Sequence, residues 1–382
     1  MFDINKIKSE KKYLELLSGV ASLSKLFSDT ATPYVNYRIA ENIFCSVFKA
    51  ENLSRSDTAY DAKINNLGVG IKTFINHSNS KLEKVAEFNA LSSEIRKLKG
   101  DDLIRRLAEY RNERISFANR TYEINNGIYH CVTRTIKKIT IFNTSYDFIN
   151  INKLRLLKES KAGVSFRDNL NEYSFNYSKS TLFKKFVLPS EAIDLNIKIL
   201  DDPFKIILDL LSLKNLSANR ELGEAGKNYV ILPLYSLGLS KPENKVVGEK
   251  SGLNQWNAGG RKRNIGEVYI PVPAVIHKYF PDFFPKRDVQ FTLITPTKEH
   301  LNASICQDNS KALMTDPNKA LADWILRKLL KLKEGELLTY DKLKEIGTDC
   351  VIIRKKSQYT YEIDFGPLDG FDDFVLNSAY SG

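Results

Sequence analysis

The sequence holds few of the side chains that build thiol, zinc or imidazole chemistry. Its 382 residues include 4 cysteines, Cys45, Cys131, Cys306 and Cys350, widely scattered and without a CxxC pair. That spacing excludes a zinc ribbon and a disulfide framework, and it predicts reduced, packed thiols in a cytoplasmic protein. Histidines also number only 4, with no HExxH, which excludes a zincin. None of His77, His130, His277 or His300 is followed two positions later by lysine, so the HxK pair of a phospholipase-D-type nuclease is missing. No apolar run approaches the roughly 18 residues of a membrane-spanning helix. Residues 1–12 are rich in charge and lead into no secretory apolar core, so neither a leader nor a membrane anchor is expected. Gly259-Gly260 is not followed by a GxxxxGK[ST] phosphate loop.

What is present is charge of one sign. Lysine and arginine total 57 against 46 acids, a net charge of +11, which favours a polyanionic partner. The length predicts about two domains at roughly 100–200 residues each. Residues 1–214 mix helices and strands, 215–224 read as a polar linker, and 225–382 read as many short strands with two helices. In the first part, apolar residues at 35, 39, 43, 44 and 47 predict a helix, and Ser80-Lys81-Leu82-Glu83 reads as a capping-box start of another reaching about residue 99. Between them, residues 60–64, an Asn-Gly-rich turn and residues 69–75 predict a hairpin, while 137–142 and 195–200 read as extended and a helix starts at Asp202. In the second part, the runs 230–235, 268–272, 289–294, 301–306, 350–354 and 359–365 predict strands. One helix is expected from Asp316-Pro317 with Trp324 in its core stripe, another over 340–346 ending at Gly347.

Two constellations carry chemistry. Metal-dependent phosphodiester cleavage needs carboxylates to hold Mg²⁺ against the scissile phosphate and a lysine to serve the attacking water. Asp61 and Lys72 lie on the two strands of the predicted hairpin, but the position two residues before the lysine is Gly70 rather than an acid. Glu87, on the helix expected after the hairpin, is the first choice for the missing carboxylate, Glu41 on the preceding helix the second, and Asp57 a further one. The second constellation is the loop 251–264, which joins amides, an aromatic and three consecutive cations suited to base edges and phosphates. Spacing alone leaves an exposed hairpin and a solvated basic loop as the bland alternatives.

Resemblance sharpens both. Pro33–Asn42, Asn52–Asp57, Asp61-Ala62-Lys63, Gly68–Phe74 and Lys84–Asn89 resemble the amino-terminal nuclease domain of a group of bacterial restriction endonucleases with the PD-(D/E)xK pattern. That resemblance implies Asp61, Lys72, Glu87 and Glu41 as catalytic residues, with Asp61 and Glu87 on Mg²⁺. Ser251–Asn254, Glu267–Pro273, Phe283–Pro285, Phe291-Thr292, Gln307–Leu313 and Tyr361–Phe365 resemble the carboxy-terminal domain of NgoFVII-type restriction enzymes. This implies a DNA-recognition pseudobarrel, similar to those of BfiI, EcoRII and the plant B-three transcription factors, that grips the major groove with two arms. One arm would carry Ser251, Asn254, Gln255, Trp256, Asn257, Arg261, Lys262, Arg263 and Asn264, the other Gln307, Asn309 and Lys311. The expected fold class is α+β: a PD-(D/E)xK-like mixed α/β nuclease domain followed by a β-rich DNA-binding pseudobarrel. The expected function is a type II restriction endonuclease acting on double-stranded DNA with Mg²⁺, accompanied by a cognate DNA methyltransferase and compatible with a homodimer. The competing expectation is a sequence-specific DNA-binding protein with a degenerate nuclease half.

Overall fold

The computed structural model describes residues 4–54, 58–214, 228–237 and 245–379. They fall into two units. The first takes residues up to 54, then 59–115 and 124–214; the second takes 58, 116–123 and the chain from 228. The linker expected over 215–224 and the candidate ligand Asp57 lie outside the described residues.

The first unit runs α1 (Ile4–Ser9), α2 (Lys11–Ser22), α3 (Tyr37–Phe48), β1 (Glu51–Asn52), β2 (Ala62–Ile64), β3 (Leu67–Ile75), β4 (Ser80–Glu87), α4 (Ser92–Ile95) and, as far as residue 115, α5 (Gly100–Tyr122). It continues through β5 (Asn126–Thr135), β6 (Lys138–Ser145), β7 (Arg155–Glu159), β8 (Gly163–Arg167), β9 (Glu172–Asn176), β10 (Thr181–Val187), β11 (Ile193–Asn196) and α6 (Pro203–Lys214). One sheet has the order β1-β2-β3-β5-β6-β11, with β3 and β5 parallel; the other has the order β4-β10-β9-β8-β7. Side chains alternate along a strand, so β3 turns Val69 and Ile71 to one face of its sheet and Gly70, Lys72 and Phe74 to the other. The first face packs on Tyr13, Leu17 and Ala21 of α2 and on Ala40, Ile43 and Phe44 of α3. On the other face, Phe74 and Tyr129 meet Phe186 of β10, with ring centroids 5.8 and 5.0 Å away.

The helix expected from Ser80 is instead the strand β4. It pairs with β10 along its length, Ser80 opposite Val187 and Glu83 opposite Lys184. A capping box is a local signal, and tertiary pairing overrides it here. The long helix α5 went unpredicted, although Leu103, Ile104, Leu107 and Ala108 are spaced for a buried stripe and are fully packed.

The second unit holds β12 (Tyr229–Pro233), β13 (Ser236–Leu237), β14 (Lys245–Val246), β15 (Ile270–Pro271), α7 (Ala274–Tyr279), β16 (Phe291–Ile294), β17 (His300–Cys306), β18 (Ala312–Asp316), α8 (Ala320–Ala322), α9 (Tyr340–Ile346), β19 (Cys350–Ser357), β20 (Thr360–Gly366) and α10 (Gly370–Ala379). Seven strands form one sheet, in the order β12-β19-β20-β16-β17-β18-β15, and its outer strands β12 and β15 touch, which curls it toward a barrel. Leu321, Trp324, Ile325 and Leu329 plug its core. That helix begins at Ala320 rather than at Pro317, because β18 extends through Asp316 and the Thr315 hydroxyl accepts the Leu321 N–H at 3.1 Å. The helix α9 is capped by the Thr339 hydroxyl and stops at Gly347, whose φ of 83° suits glycine.

Candidate active site and candidate nucleic-acid interface

The hairpin β2–β3 brings its acid and lysine into one electrostatic group. Asp61 stands just before β2; its backbone N–H donates to the Val69 carbonyl at 2.9 Å, and its Oδ2 accepts from the Ile71 N–H at 2.6 Å. Burial raises the Asp61 carboxyl above its usual range, while the Lys72 ammonium, the Ile71 N–H and the Arg38 guanidinium pull the other way. Lys72 lies opposite Cys131 of β5, its Nζ 5.9 Å from the centre of the Tyr129 ring.

Glu41 joins this group from α3. Asn36 caps that helix by accepting the Arg38 N–H at 2.9 Å, and the apolar side of the helix carries Glu41 into the interior, where it is 3% exposed. Its Oε2 accepts from Arg38 Nη1 at 3.3 Å, and the same nitrogen donates to Ser54 Oγ at 2.8 Å. Burial raises the Glu41 carboxyl and the charge of Asp61 raises it further, against Ser54 and Arg38. Both acids also help push the Cys45 thiol up to about 11, behind burial itself. A buried carboxyl raised further by a neighbouring carboxylate is a setting that a divalent cation relieves.

Glu87 is placed differently from expectation. It ends the strand β4 and is exposed; it accepts from Lys84 Nζ at 2.9 Å and Asn89 Nδ2 at 2.6 Å, contacts that hold its carboxyl below the usual range. Neither Asp61 nor Lys72 is among its described partners. The acid of β4 that the Lys72 charge reaches is Glu83, which burial raises and Lys81, Lys72 and Arg134 lower. Sequence reasoning missed Glu83 because the capping-box reading turned its strand into a helix. Among the described residues no three His, Cys, Asp or Glu side chains are grouped to hold a metal ion.

Gly70 explains why the acid two before Lys72 is missing. A Cβ at this position would lie 2.9 Å from Tyr146 Cε2 and 3.0 Å from Tyr129 Cδ1, inside any normal contact. Those two rings stack with centroids 4.1 Å apart and fill the space an acid would need.

In the second unit the loop 251–264 is partly folded inward. Asn254 is fully buried: its Nδ2 donates to the carbonyls of Leu338 at 2.8 Å and Gly248 at 3.2 Å, and its Oδ1 accepts the Leu338 N–H at 2.9 Å. Those bonds consume the amide, which corrects its expected place among the DNA contacts. Ser251, Gln255 and Trp256 are half-buried, and Trp256 packs against the core. Arg261 grips the buried Glu267 through both Nη atoms, Nη1 at 3.1 Å from Oε2, while Arg263 Nη1 donates to the Ala258 and Gly259 carbonyls, each at 2.8 Å. Asn257, Lys262 and Asn264 remain exposed.

The second expected arm is the β17–β18 turn. Cys306 pairs with Ala312, so residues 307–311 project beyond the sheet. Asn309 and Lys311 are exposed and Gln307 is half-buried, while the Ser310 carbonyl is held 2.9 Å from His277 Nε2. Positive φ at Gln307, Asn309 and Ser310 makes the turn tight.

Among the described residues no helix is long and apolar enough to cross a membrane. No curated protein matches the chain. Residues 229–357, a span that contains both the 251–264 loop and the 307–311 turn, match the family of the NgoFVII C-terminal B3-like DNA-binding domain.

Proposed function

We propose that the protein is a type II-like restriction endonuclease, reading double-stranded DNA with its second unit and hydrolysing it with its first. One juxtaposition carries this reading: a region matching a restriction-enzyme DNA-binding domain shares a chain with buried Glu41 beside half-buried Asp61, whose carboxyl the Lys72 charge reaches. Exposed Asn257, Lys262, Asn264, Asn309 and Lys311 supply amides and cations for base edges and phosphates.

Asp61 and Glu41 offer hard oxygen donors, the set Mg²⁺ takes when waters and phosphate oxygens complete its shell. Bound there, Mg²⁺ would polarise the scissile phosphate and acidify a water. Arg38 and the Ile71 N–H orient the two carboxylates. Lys72 hydrogen-bonds the attacking water or a phosphate oxygen; the water oxygen bonds phosphorus as the ester P–O bond breaks, and the proton the water gives up to solvent is balanced by the one the leaving sugar oxygen takes from it. A cytoplasmic enzyme of this kind works beside a methyltransferase that protects host sites, and a homodimer would suit a symmetric site.

Incubating the full chain with a mixed-sequence plasmid, with and without Mg²⁺, tests the reading: discrete fragments are expected only with the metal. The second reading, a sequence-specific DNA-binding protein with a degenerate nuclease half, draws on the tyrosine-filled space at Gly70. Specific binding with an intact plasmid would select it.

A further inference from the structure

The first unit also buries two cations away from the hairpin acids. Lys184 of β10 and Arg111 of α5 are each 2% exposed. Arg111 donates to the Asp147 carbonyl at 3.0 Å and to the Tyr129 hydroxyl at 2.9 Å, and its Nε has no hydrogen-bond partner among the described residues. Lys184 donates to the Ser145 carbonyl at 3.0 Å, and its Nζ lies 5.2 and 5.5 Å from the ring centres of Tyr129 and Phe186. Carbonyls, a hydroxyl and aromatic faces therefore surround both, and among the described residues neither is ion-paired to a carboxylate. Two such cations repel each other and have lost most of their hydration, a cost that the more distant charges of Asp147 and Asp168 offset only in part and that a bound anion would lower further.

A cavity of about 590 Å³ opens against Lys184, within the usual range for ligand clefts. Arg167, Lys185, Asp147, Asp168 and Glu172 also line it, and Glu41, Asp61 and Lys72 do not. The acids are committed elsewhere. Asp168 accepts the N–H groups of Asn150, Leu170 and Asn171 at 2.9, 2.8 and 2.7 Å; Asp147 accepts from Ser145 Oγ and, at 3.4 Å, from Asn171 Nδ2; Glu172 pairs with Lys185 at 2.8 Å. What remains for a ligand is Lys184 in the cavity wall and the exposed Arg167 guanidinium.

We propose that this cavity binds a phosphoryl group, with Lys184 and Arg167 as its charged donors. The ammonium has donors left after its one carbonyl bond, and the planar guanidinium can take two oxygens of one phosphate. The group comes either from a free nucleotide or from a backbone phosphate of DNA. The assignment is independent of the nuclease reading, because it uses none of the hairpin acids.

The test titrates the full chain with inorganic phosphate, a deoxynucleoside 5′-monophosphate and a short duplex, comparing wild type with Lys184→Met and Arg167→Ala. Binding of at least one probe is expected to weaken roughly 10- to 100-fold in Lys184→Met, and to weaken in Arg167→Ala with the circular dichroism spectrum unchanged. A Lys184 dependence with the small probes identifies a nucleotide site, and one seen only with the duplex identifies a backbone contact. No binding of any probe, or affinities equal in wild type and both variants, overturns the proposal. Should Lys184→Met fail to fold, an unchanged affinity in Arg167→Ala alone is sufficient to reject it.

Discussion

Gly70 lies flat against Tyr129, so close that any Cβ at position 70 would come within 3.0 Å of the ring. The missing acid of the hairpin is thus a packing solution, not an empty place. We predict that Gly70→Asp destabilises the protein by about 1–3 kcal/mol through overpacking and adds no cleavage activity. Urea unfolding midpoints and plasmid assays check both parts, and a faster-cutting Gly70→Asp variant would reject the steric account.

The acid that works with Asp61 is predicted to be Glu41. Asp61→Ala, Lys72→Ala and Glu41→Gln should each lose cleavage by about 100-fold or more while DNA binding in Ca²⁺ survives. Glu87→Gln, exposed and satisfied by Lys84 and Asn89, should cut near the wild-type rate. Inactive Glu87→Gln beside active Glu41→Gln would reverse the assignment.

The basic loop should separate into a contact and a clamp. Lys262 is exposed, so Lys262→Ala should weaken matched and scrambled duplexes alike and reduce the salt slope by about 1. Glu267→Gln loosens the grip on Arg261 and should lower discrimination between the two duplexes more than it lowers nonspecific affinity. Salt-dependent titrations on both duplexes separate these outcomes; a discrimination ratio unchanged in Glu267→Gln would leave the clamp without a role in reading.

Asn254 should matter to stability rather than to DNA. Asn254→Ala strands the Leu338 N–H and carbonyl in the interior, at a cost of about 1–3 kcal/mol. Unfolding midpoints test this, and unchanged stability with lost DNA binding would restore Asn254 to the interface.

Lys184 makes stability depend on pH. Burial, then the neighbouring Arg111, lowers its pKa from 10.5 to about 8, with Asp147, Cys131 and Asp168 opposing. Between those values the unfolded chain holds a proton that the folded chain has released, so stability rises with pH across the window. Below about 8 both states hold it and the penalty is complete. Lys184→Met should flatten this rise relative to wild type in urea unfolding on either side of that window. Parallel profiles would place the proton elsewhere.

The sequence by itself determined the elements whose signals are local. Apolar periodicity marked α3, the Asn-Gly turn marked the β2–β3 hairpin, and Gly347 marked the end of α9, because each depends on neighbours within a few residues. It also placed Lys72 on the second strand of that hairpin, whereas Asp61 stands one residue before the first rather than on it. Only the tertiary structure decided what each acid meets. Ser80–Glu87 became a strand because β10 supplies hydrogen bonds along its length, and that moved Glu87 to the surface and set Glu83 opposite Lys184. Position 70 is filled by rings from residues 129 and 146, Asn254 is consumed by Leu338, and Arg261 is held by Glu267. Packing and hydrogen bonding between distant residues leave no periodicity in the chain, so burial and partner choice emerge only when the fold brings those residues together.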